Sequence, residues 1–299
     1  MALKEMVATK EELAIYERMR HSITDSDIGA FRNLCLKRIE QIDPNRNAAL
    51  ALSGGTDSVT ILFSMLAMGR KPRCYTFHVD GIVSTDLLSS RNLCKHFGLE
   101  LVELTLPSDP DAIAGDIRQY INHCHTIKKT VVQCMHPWLY IYPAMAERGD
   151  TLILNGLGGD DLYCNQRKVN VAQQQFGEAA IIPWRKVWSD DIKFSAANII
   201  LWGDTEFGIT NTDFYKFPEM EEWFLQFPIR SLHRPVEKYP SAAAFKEMYA
   251  KGNFYRKHDS YQINSGLKKT HEKLLDTPYN LKGAKDMITI YNDFANGRL

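Results

Sequence analysis

Short apolar runs alternate with helix-length segments from about residue 48 to residue 165, and this alternation constrains the fold more than any other feature. The expected strands are Ala48 to Leu52, Cys74 to Val79, Leu99 to Leu106 and Thr151 to Leu154, and the expected helices are Val59 to Met68, Asp86 to Phe97, Asp111 to His125 and Trp138 to Arg148. Strands separated by helices of this length indicate βαβ crossovers. The sequence therefore predicts an α/β fold, a doubly wound parallel sheet whose ligands bind at the carboxyl ends of the strands.

The sequence on either side of this unit has a different character. Two helices are expected before it, from Glu11 to Arg20 and from Ile28 to Gln41, because apolar residues recur there at helical spacing. After it the alternation fades into aromatic-rich, mostly helical sequence. We therefore expect an N-terminal helical segment at residues 1–47, an α/β domain at residues 48–165 and a mostly helical C-terminal region at residues 166–299.

Composition limits the classes of protein to which the chain can belong. Thirty-six basic residues balance thirty-six acidic ones, so no global field recruits nucleic acid or an anionic membrane. The longest apolar run, from Val59 to Met68, is too short to cross a bilayer, and Met1 to Glu5 shows no apolar signal segment. Six cysteines without a CxxC pair argue against a disulfide framework or a zinc ribbon. We expect a cytoplasmic protein with reduced thiols.

The loop Ser53-Gly54-Gly55-Thr56-Asp57-Ser58 joins the first expected strand to the first helix of the α/β unit. Its two glycines let the backbone approach phosphate oxygens, its two serine hydroxyls can donate hydrogen bonds, and the helix start offers free N–H groups and a favourable dipole. The alternative is an ordinary tight turn capped by Thr56 or Asp57. Ser-Gly-Gly-x-Asp-Ser after an apolar strand favours a pyrophosphate site. No GxxxxGK[ST] motif occurs, so a γ-phosphate site of the kinase or GTPase type is not expected.

This loop resembles that of the ATP pyrophosphatase (PP-loop) superfamily, which includes asparagine, β-lactam, argininosuccinate, GMP and NAD synthetases and tRNA-thiolating enzymes. The resemblance implies an adenine nucleotide alpha hydrolase-like fold with ATP and Mg²⁺ as cofactors. It also implies that residues 53–58 bind ATP, and that ATP is cleaved to AMP and pyrophosphate through an adenylated intermediate.

A second motif, Asn155-Gly156-Leu157-Gly158-Gly159-Asp160-Asp161-Leu162-Tyr163, resembles the Gly-x-Gly-Ser/Ala/Gly-Asp-Glu-Leu-Phe loop of asparagine and β-lactam synthetases. Carboxylates from two loops can hold Mg²⁺ against a pyrophosphate leaving group. The resemblance implies that Asp57 and Asp160 are catalytic metal ligands and that Gly158 contacts ATP. Asp161 stands where the family usually has Glu, and it is a further candidate ligand. The alternative is a helix N-cap with adjacent acids.

Tyr75 to Gly81 resembles the strand end at which these synthetases bind adenine through backbone groups. Val79 is the candidate for that contact. A buried strand residue is the alternative, and one residue can serve both purposes.

Phe254 to Gly266 resembles a late Trp-Arg-x-Lys-Glu-x-Phe-x-x-Gly segment of asparagine synthetases. The lysine of that segment stabilises charge near the acyl-adenylate and the departing pyrophosphate. The match makes Lys257 the candidate catalytic lysine, because an ammonium beside developing negative charge lowers the barrier. Arg256 and His258 are alternatives, and a solvated surface lysine is the ordinary explanation.

Two departures from the family pattern bear on the reaction. Ala2 stands where the glutamine-hydrolysing domain of the family has a cysteine, so ammonia would be free or come from a separate glutaminase partner, or the nucleophile would be an amine. The segment Arg230 to Glu237 has no glutamate at the place of the family's catalytic glutamate. The general base is therefore unassigned, and Glu237 and Glu222 are candidates only because they lie nearby in sequence.

These features favour an ATP-dependent amide-forming synthetase that adenylates a small-molecule carboxylate and passes it to ammonia or an amine. An enzyme that thiolates or amidates tRNA or nucleotides ranks below it, because paired cysteines are missing and the net charge is zero. A catalytically silent nucleotide-binding subunit is the third hypothesis, and the retained acidic loops and Lys257 argue against it.

Two remaining groups of residues are interpreted as structural. His123, Cys124, His125, Cys134 and His136 show none of the usual zinc spacings. Four tryptophans of the C-terminal region are expected to build a core rather than a base-stacking platform: Trp184, Trp188, Trp202 and Trp223.

Overall fold

A computed structural model describes residues 8–165, 167–255, 261–281 and 283–299, and it describes side chains within these ranges except at 167–168, 183–184 and 186–196. Lys257, Arg256 and His258 lie outside the described residues. The strands are β1 (Ala49–Ala51), β2 (Cys74–Val79), β3 (Leu101–Leu106), β4 (Leu152–Asn155) and β5 (Thr210–Asp213).

The helices surround this sheet. In chain order they are α1 (Lys10–Arg18), α2 (Asp25–Ile42), α3 (Thr56–Ala67), α4 (Thr85–Phe97), α5 (Pro110–Cys124), α6 (Lys129–Met135), α7 (Trp138–Glu147), α8 (Gly159–Leu162), α9 (Arg167–Phe176), α10 (Ile182–Phe207), α11 (Pro218–Leu225), α12 (Ile229–Leu232), α13 (Tyr239–Ala244), α14 (Lys246–Gly252), α15 (Tyr261–Asn264), α16 (Leu267–Glu272) and α17 (Met287–Ala295). Short 3₁₀ turns lie at Ala179–Ile181 and Lys273–Asp276. No helix in the described ranges combines the length and the apolar character that a membrane crossing requires.

The five strands form one sheet in the order β3-β2-β1-β4-β5, and every neighbouring pair is parallel. The chain builds outward from β1 to β3 on one side, and then returns to the other side of β1 for β4 and β5. The strand order therefore reverses between β1 and β4, and a crevice opens there at the carboxyl ends of the strands. The predicted doubly wound parallel α/β fold is confirmed.

Helices cover both faces of the sheet because side chains alternate along each strand. Leu50 and Leu154 face one apolar layer, which also contains α2, α3, α4, α11, α13 and α14. Ala49 and Ile153 face the opposite layer, which contains α5, α6, α7, α10 and α17. The C-terminal region thus supplies helices to both layers.

Of the four tryptophans named above, the two whose side chains are described lie in different layers. Trp223 is 4% exposed and packs in the layer of α2 and α3. Trp202 packs against the layer of α7, with its ring 5.8 Å from that of Tyr142. The side chains of Trp184 and Trp188 lie outside the described residues.

A chain of buried polar contacts, which we call the histidine relay, ties α16 and α17 to α5 and to the junction of α6 and α7. His136 lies 2.8 Å from Asp116 through Nε2 and 3.0 Å from His271 through Nδ1, and His271 Nδ1 lies 2.7 Å from the Tyr291 hydroxyl. Tyr140 also donates to Asp116, at 2.6 Å. An ionised Asp116 only accepts, so the contacts are satisfied when Tyr291 donates to His271, His271 to His136, and His136 to Asp116.

Candidate active site

The Gly-rich loop lies at the carboxyl end of β1 and is pressed against α4. Gly54 has a φ of +71°, and a Cβ built there would lie 2.5 Å from both Cβ and Oγ of Ser89. The Ser89 hydroxyl donates to the Gly54 carbonyl at 3.3 Å. Both the backbone angle and the close approach therefore require glycine at position 54.

Hydrogen bonds within the loop hold its curved backbone. The Ser53 N–H donates to the Ser58 hydroxyl at 3.2 Å, and that hydroxyl donates to the Gly55 carbonyl at 3.1 Å. Gly55 is the N-cap of α3 and supplies no side-chain acceptor, while Thr56 and Asp57 form the first turn. The N–H groups of that turn are therefore available to an anion.

The second acidic loop follows β4, the neighbour of β1, and touches the first loop. A Cβ at Gly159 would lie 2.5 Å from Cγ of Asp57, and a Cβ at Gly156 would lie 3.2 Å from Cβ of Asp57. Gly158 has a φ of +84° and begins α8, on which Asp160 and its neighbouring acid stand. The glycines of this loop let the two acidic segments pack together.

Lys238 joins the two loops directly. Its Nζ lies 2.6 Å from Oδ2 of Asp57 and 2.7 Å from Oδ1 of Asp160. The Lys238 side chain is 8% exposed, that of Asp57 18% and that of Asp160 62%. Burial lowers the pKa of Lys238, but the two carboxylates outweigh burial and raise it above the ordinary lysine value. The ammonium is therefore charged across the neutral pH range.

The backbone and the neighbours of Lys238 fix its position. Lys238 has a φ of +52° at the N-cap of α13, and its N–H donates to Nδ1 of His233 at 3.3 Å. His233 Nε2 lies 2.7 Å from the Tyr163 carbonyl, so this nitrogen carries the proton. Burial lowers the pKa of His233, and the nearby ammonium adds to that effect. The Lys238 Nζ also lies 5.5 Å from the Tyr163 ring centroid, within cation–π range.

A second lysine approaches the site from the end of β5. The Lys216 side chain is 7% exposed, and its Nζ lies 3.8 Å from Oδ2 of Asp213. A Cβ at Gly158 would lie 3.1 Å from both Cγ and Cε of Lys216. The Tyr215 hydroxyl donates to the Asp57 carbonyl at 3.2 Å, so the β5 end contacts both loops.

Val79 ends β2 beside the Gly-rich loop, and its side chain is fully buried. Cys74 donates its N–H group to Glu100, the residue before β3, and Asp80 donates to Leu106 at the end of β3. Because alternate residues of a parallel strand bond to opposite neighbours, the N–H of Val79 is directed to the β1 side. β1 ends at Ala51 and does not extend as far as Val79. The backbone of Val79 therefore borders the space above the Gly-rich loop.

Three other acids named from the sequence lie in different surroundings. Asp161 is 2% exposed on α8, in contrast to the open carboxylate of Asp160. Glu237 adjoins Lys238 and accepts a hydrogen bond from the Asn165 amide at 2.5 Å. Glu222 is exposed on α11, which packs in the layer of α2 and α3. The structure thus places Glu237 at the site and Glu222 on a surface helix.

The donor set at the two loops suits Mg²⁺ held together with phosphates. Among the described residues, no group of three or more His, Cys, Asp or Glu side chains is placed to hold a metal ion. Mg²⁺ is usually bound by one or two carboxylates together with substrate phosphates. Asp57 and Asp160 both reach the same nitrogen atom, so both can reach one ion. The missing side chain at Gly159 leaves room for the Asp57 carboxylate.

Sequence reasoning missed Lys216 and Lys238. Both residues stand among aromatic residues and prolines, in Tyr215-Lys216-Phe217-Pro218 and Lys238-Tyr239-Pro240. When the flanking aromatic rings are buried, the lysine beside them is buried too. No other local feature of the sequence indicates that these two lysines belong to the site. The contact between Asp57 and Lys238 joins residues 181 positions apart, which no short motif spans.

Comparison with known proteins agrees with this geometry. The family model described as asparagine synthase matches residues 40–261, which is more than half of the chain. The match covers the sheet, both acidic loops and both buried lysines. No curated protein matches the chain significantly. The chain belongs to the asparagine synthase family.

Proposed function

We propose that this protein is an ATP-dependent amide-forming synthetase. It adenylates a substrate carboxylate with release of pyrophosphate and then transfers the acyl group to ammonia or an amine. Membership of the asparagine synthase family supports ligase chemistry driven by ATP. The position of the cleaved phosphate bond and the carboxylate substrate are parts of the proposal.

The observation that carries the proposal is the contact of Lys238 with Asp57 and Asp160, at 2.6 and 2.7 Å. It brings together a phosphate-type loop, a second acidic loop and a buried cation at the point where the strand order reverses. A Walker-type P-loop site would need a lysine within its Gly-rich loop, and this loop has none. The arrangement instead favours charge neutralisation on a departing pyrophosphate.

In this proposal the nucleotide lies across the carboxyl end of β1. The N–H groups of Thr56 and Asp57, in the first turn of α3, face the phosphates, where the helix dipole favours negative charge. The backbone of Val79 contacts the adenine, and Gly158 lets the second loop approach the phosphates. Both contacts follow from the direction of backbone groups rather than from side chains.

Charge balance explains the need for cations at this site. Asp57, Asp160 and Lys238 together carry one negative charge, which would repel ATP. Asp57 and Asp160 would hold Mg²⁺, which neutralises phosphate charge and stabilises the leaving pyrophosphate. Lys216 adds a second buried positive charge beside Gly158, and in a dry site each ammonium is worth more than in water. Lys257 is retained as a proposed third cation.

The second step needs a group that accepts a proton from the attacking ammonia or amine. Glu237 is the nearest of the two glutamates proposed, because it adjoins Lys238 in the chain. Its carboxylate accepts from the amide of Asn165, five residues beyond Asp160. We propose Glu237 as the base, and a separate glutaminase as one source of ammonia.

Capture of the activated carboxylate tests the proposal. Purified protein, Mg-ATP and a panel of small-molecule carboxylates are incubated with hydroxylamine, which converts an acyl-adenylate to a hydroxamate that is detected as its coloured Fe³⁺ complex. We expect a hydroxamate with a subset of carboxylates, formed together with pyrophosphate. Asp160→Asn should lower the rate by about 10²-fold or more, because one metal ligand is lost. Lys251→Met, at an exposed lysine on α14, is the matched control.

Two results would redirect the proposal. If pyrophosphate appears only when tRNA is added and no hydroxamate forms, the protein modifies nucleic acid. If the protein binds ATP without turnover under every condition, it is a nucleotide-binding subunit.

A further inference from the structure

The Lys238 ammonium lies where one ion would bridge the two acidic loops. Its Nζ contacts one oxygen of Asp57 and one of Asp160 at hydrogen-bond distance. A buried ammonium needs counter-charges, and a pair of neighbouring carboxylates needs a cation between them. These three side chains are therefore one another's counter-charges in the structure.

This arrangement is built into the fold rather than being a chance rotamer of a surface lysine. Lys238 is held in a left-handed backbone conformation, its N–H donates to His233, and its ammonium lies over the Tyr163 ring. The Tyr163 hydroxyl also bonds the hydroxyl of Ser241 on α13 at 2.7 Å. The start of α13 is thus fastened to the second acidic loop at several points.

The same carboxylates form an incomplete metal site by themselves. Two carboxylates supply only part of the near-octahedral shell that Mg²⁺ demands, and phosphates or waters would supply the rest. A free Mg²⁺ ion would also have to displace the buried ammonium from both carboxylates, or remain beside it against like-charge repulsion. Nucleotide phosphates remove this obstacle, because they offer the ammonium a new anionic partner.

We propose that Lys238 is the resident counter-ion of the Asp57 and Asp160 pair and keeps this pair closed to free divalent cations. Mg²⁺ enters only together with the nucleotide, and the ammonium then turns from the carboxylates to the phosphates. The entry of Mg²⁺ together with the nucleotide is the part of this inference that rests on the proposed function. The exclusion of free metal does not.

Calorimetric titration with Mg²⁺ alone, without nucleotide, tests the exclusion. We expect no saturable binding to the wild-type protein at millimolar Mg²⁺. Lys238→Met should bind Mg²⁺ at least about tenfold more tightly, which corresponds to about 1.4 kcal/mol. The double variant Lys238→Met with Asp160→Asn should lose that binding again. Lys251→Met should behave like the wild type.

Two titration outcomes would overturn the exclusion: equal Mg²⁺ binding by the wild type and Lys238→Met, or no binding by a folded Lys238→Met. Lys238→Arg keeps the positive charge and should stay closed to Mg²⁺. If Lys238→Met fails to fold, the wild-type protein alone still tests the exclusion of free Mg²⁺. Its thermal midpoint should stay unchanged with Mg²⁺ alone, and a rise with Mg²⁺ alone contradicts the exclusion.

A second experiment, in which nucleotide is added, distinguishes a failure of this inference from a failure of the proposed function. Mg²⁺ added with a non-hydrolysable ATP analogue should raise the thermal midpoint of the wild-type protein. If it does not, while Lys238→Met binds Mg²⁺ alone, the exclusion stands and the proposed ATP site is wrong. If the analogue stabilises the protein but Mg²⁺ alone does so equally, the ATP site stands and the role of Lys238 is wrong.

Discussion

At the scale of single residues, Gly159 sets the distance between the two acidic loops. A Cβ at this position would fall 2.5 Å from Cγ of Asp57 and 2.8 Å from its Oδ1, closer than atoms pack. Any side chain must therefore move either the second loop or the Asp57 carboxylate. The second loop and the Asp57 carboxylate are among the groups that we propose to bind the metal and the phosphates.

Gly159→Ala should reduce pyrophosphate release by about tenfold to a hundredfold, because a displacement of about 1 Å in a positioned group costs that much. Gly29→Ala in α2 is the control, since a Cβ there meets nothing within 4 Å. It should leave activity unchanged and stabilise the protein by about 0.5–1 kcal/mol, the gain from replacing a helical glycine. Steady-state pyrophosphate assays and urea unfolding measure both effects. Equal activity of Gly159→Ala and the wild type would contradict the proposed packing of the loops.

At the scale of elements, the histidine relay joins α16 and α17 to α5 and to the junction of α6 and α7. His136 is 1% exposed and His271 is fully buried, so the relay lies within the packed helical layer. Burial lowers the pKa of His271 well below its ordinary value, and the nearby His136 and Lys129 act in the same direction. Lys129 also pairs with Glu272 at 3.6 Å. A neutral His271 is thus part of the folded state.

The relay predicts a loss of stability in acid. His271 binds a proton more weakly in the folded state than in the unfolded state, where its pKa is about 6.5. Its contribution to stability is therefore complete above about pH 6.5, and it decreases as the pH falls, by up to about 1.4 kcal/mol per pH unit. His271→Gln keeps a donor toward His136 but does not titrate. Urea unfolding at pH 7.5 and 5.5 should show a loss about 1 kcal/mol larger in the wild type than in His271→Gln.

His125→Asn provides the control for this comparison. His125 is exposed at the left-handed C-cap of α5, a conformation that asparagine accepts. Its variant should follow the wild-type pH dependence. Parallel pH dependences for the wild type and His271→Gln would show that His271 is not held neutral by the fold.

The elements also show how far sequence patterns predict this structure. The strand predicted at Cys74 to Val79 has the observed bounds, and the other three predicted strands differ from the observed ones by at most two residues at either end. β5 was missed, because its sequence Thr-Asn-Thr-Asp lacks an apolar run. Its Asn211 finds buried partners in Asn155 and Tyr142, which only the folded sheet provides. The short helix α6 was missed as well.

At the scale of the whole molecule, the C-terminal region completes what the α/β unit begins. It adds β5 to the sheet, helices to both layers, and Lys216 and Lys238 to the candidate site. The two acidic loops were predictable because each is a local motif with a strand before it. The buried lysines were not, because only the tertiary fold brings them to those loops. The role of Lys257 and the division into 1–47, 48–165 and 166–299 stay predictions.

The most direct test of the proposed reaction is to identify which bond of ATP is broken. The protein is incubated with Mg²⁺, ATP labelled at the α-phosphate and a small-molecule extract, and the labelled product is separated by chromatography. The site predicts labelled AMP in a reaction that depends on an extract fraction and is lost in Asp160→Asn. Labelled ADP from the wild-type protein would contradict cleavage between the α- and β-phosphates, and with it the assignment of the two acidic loops.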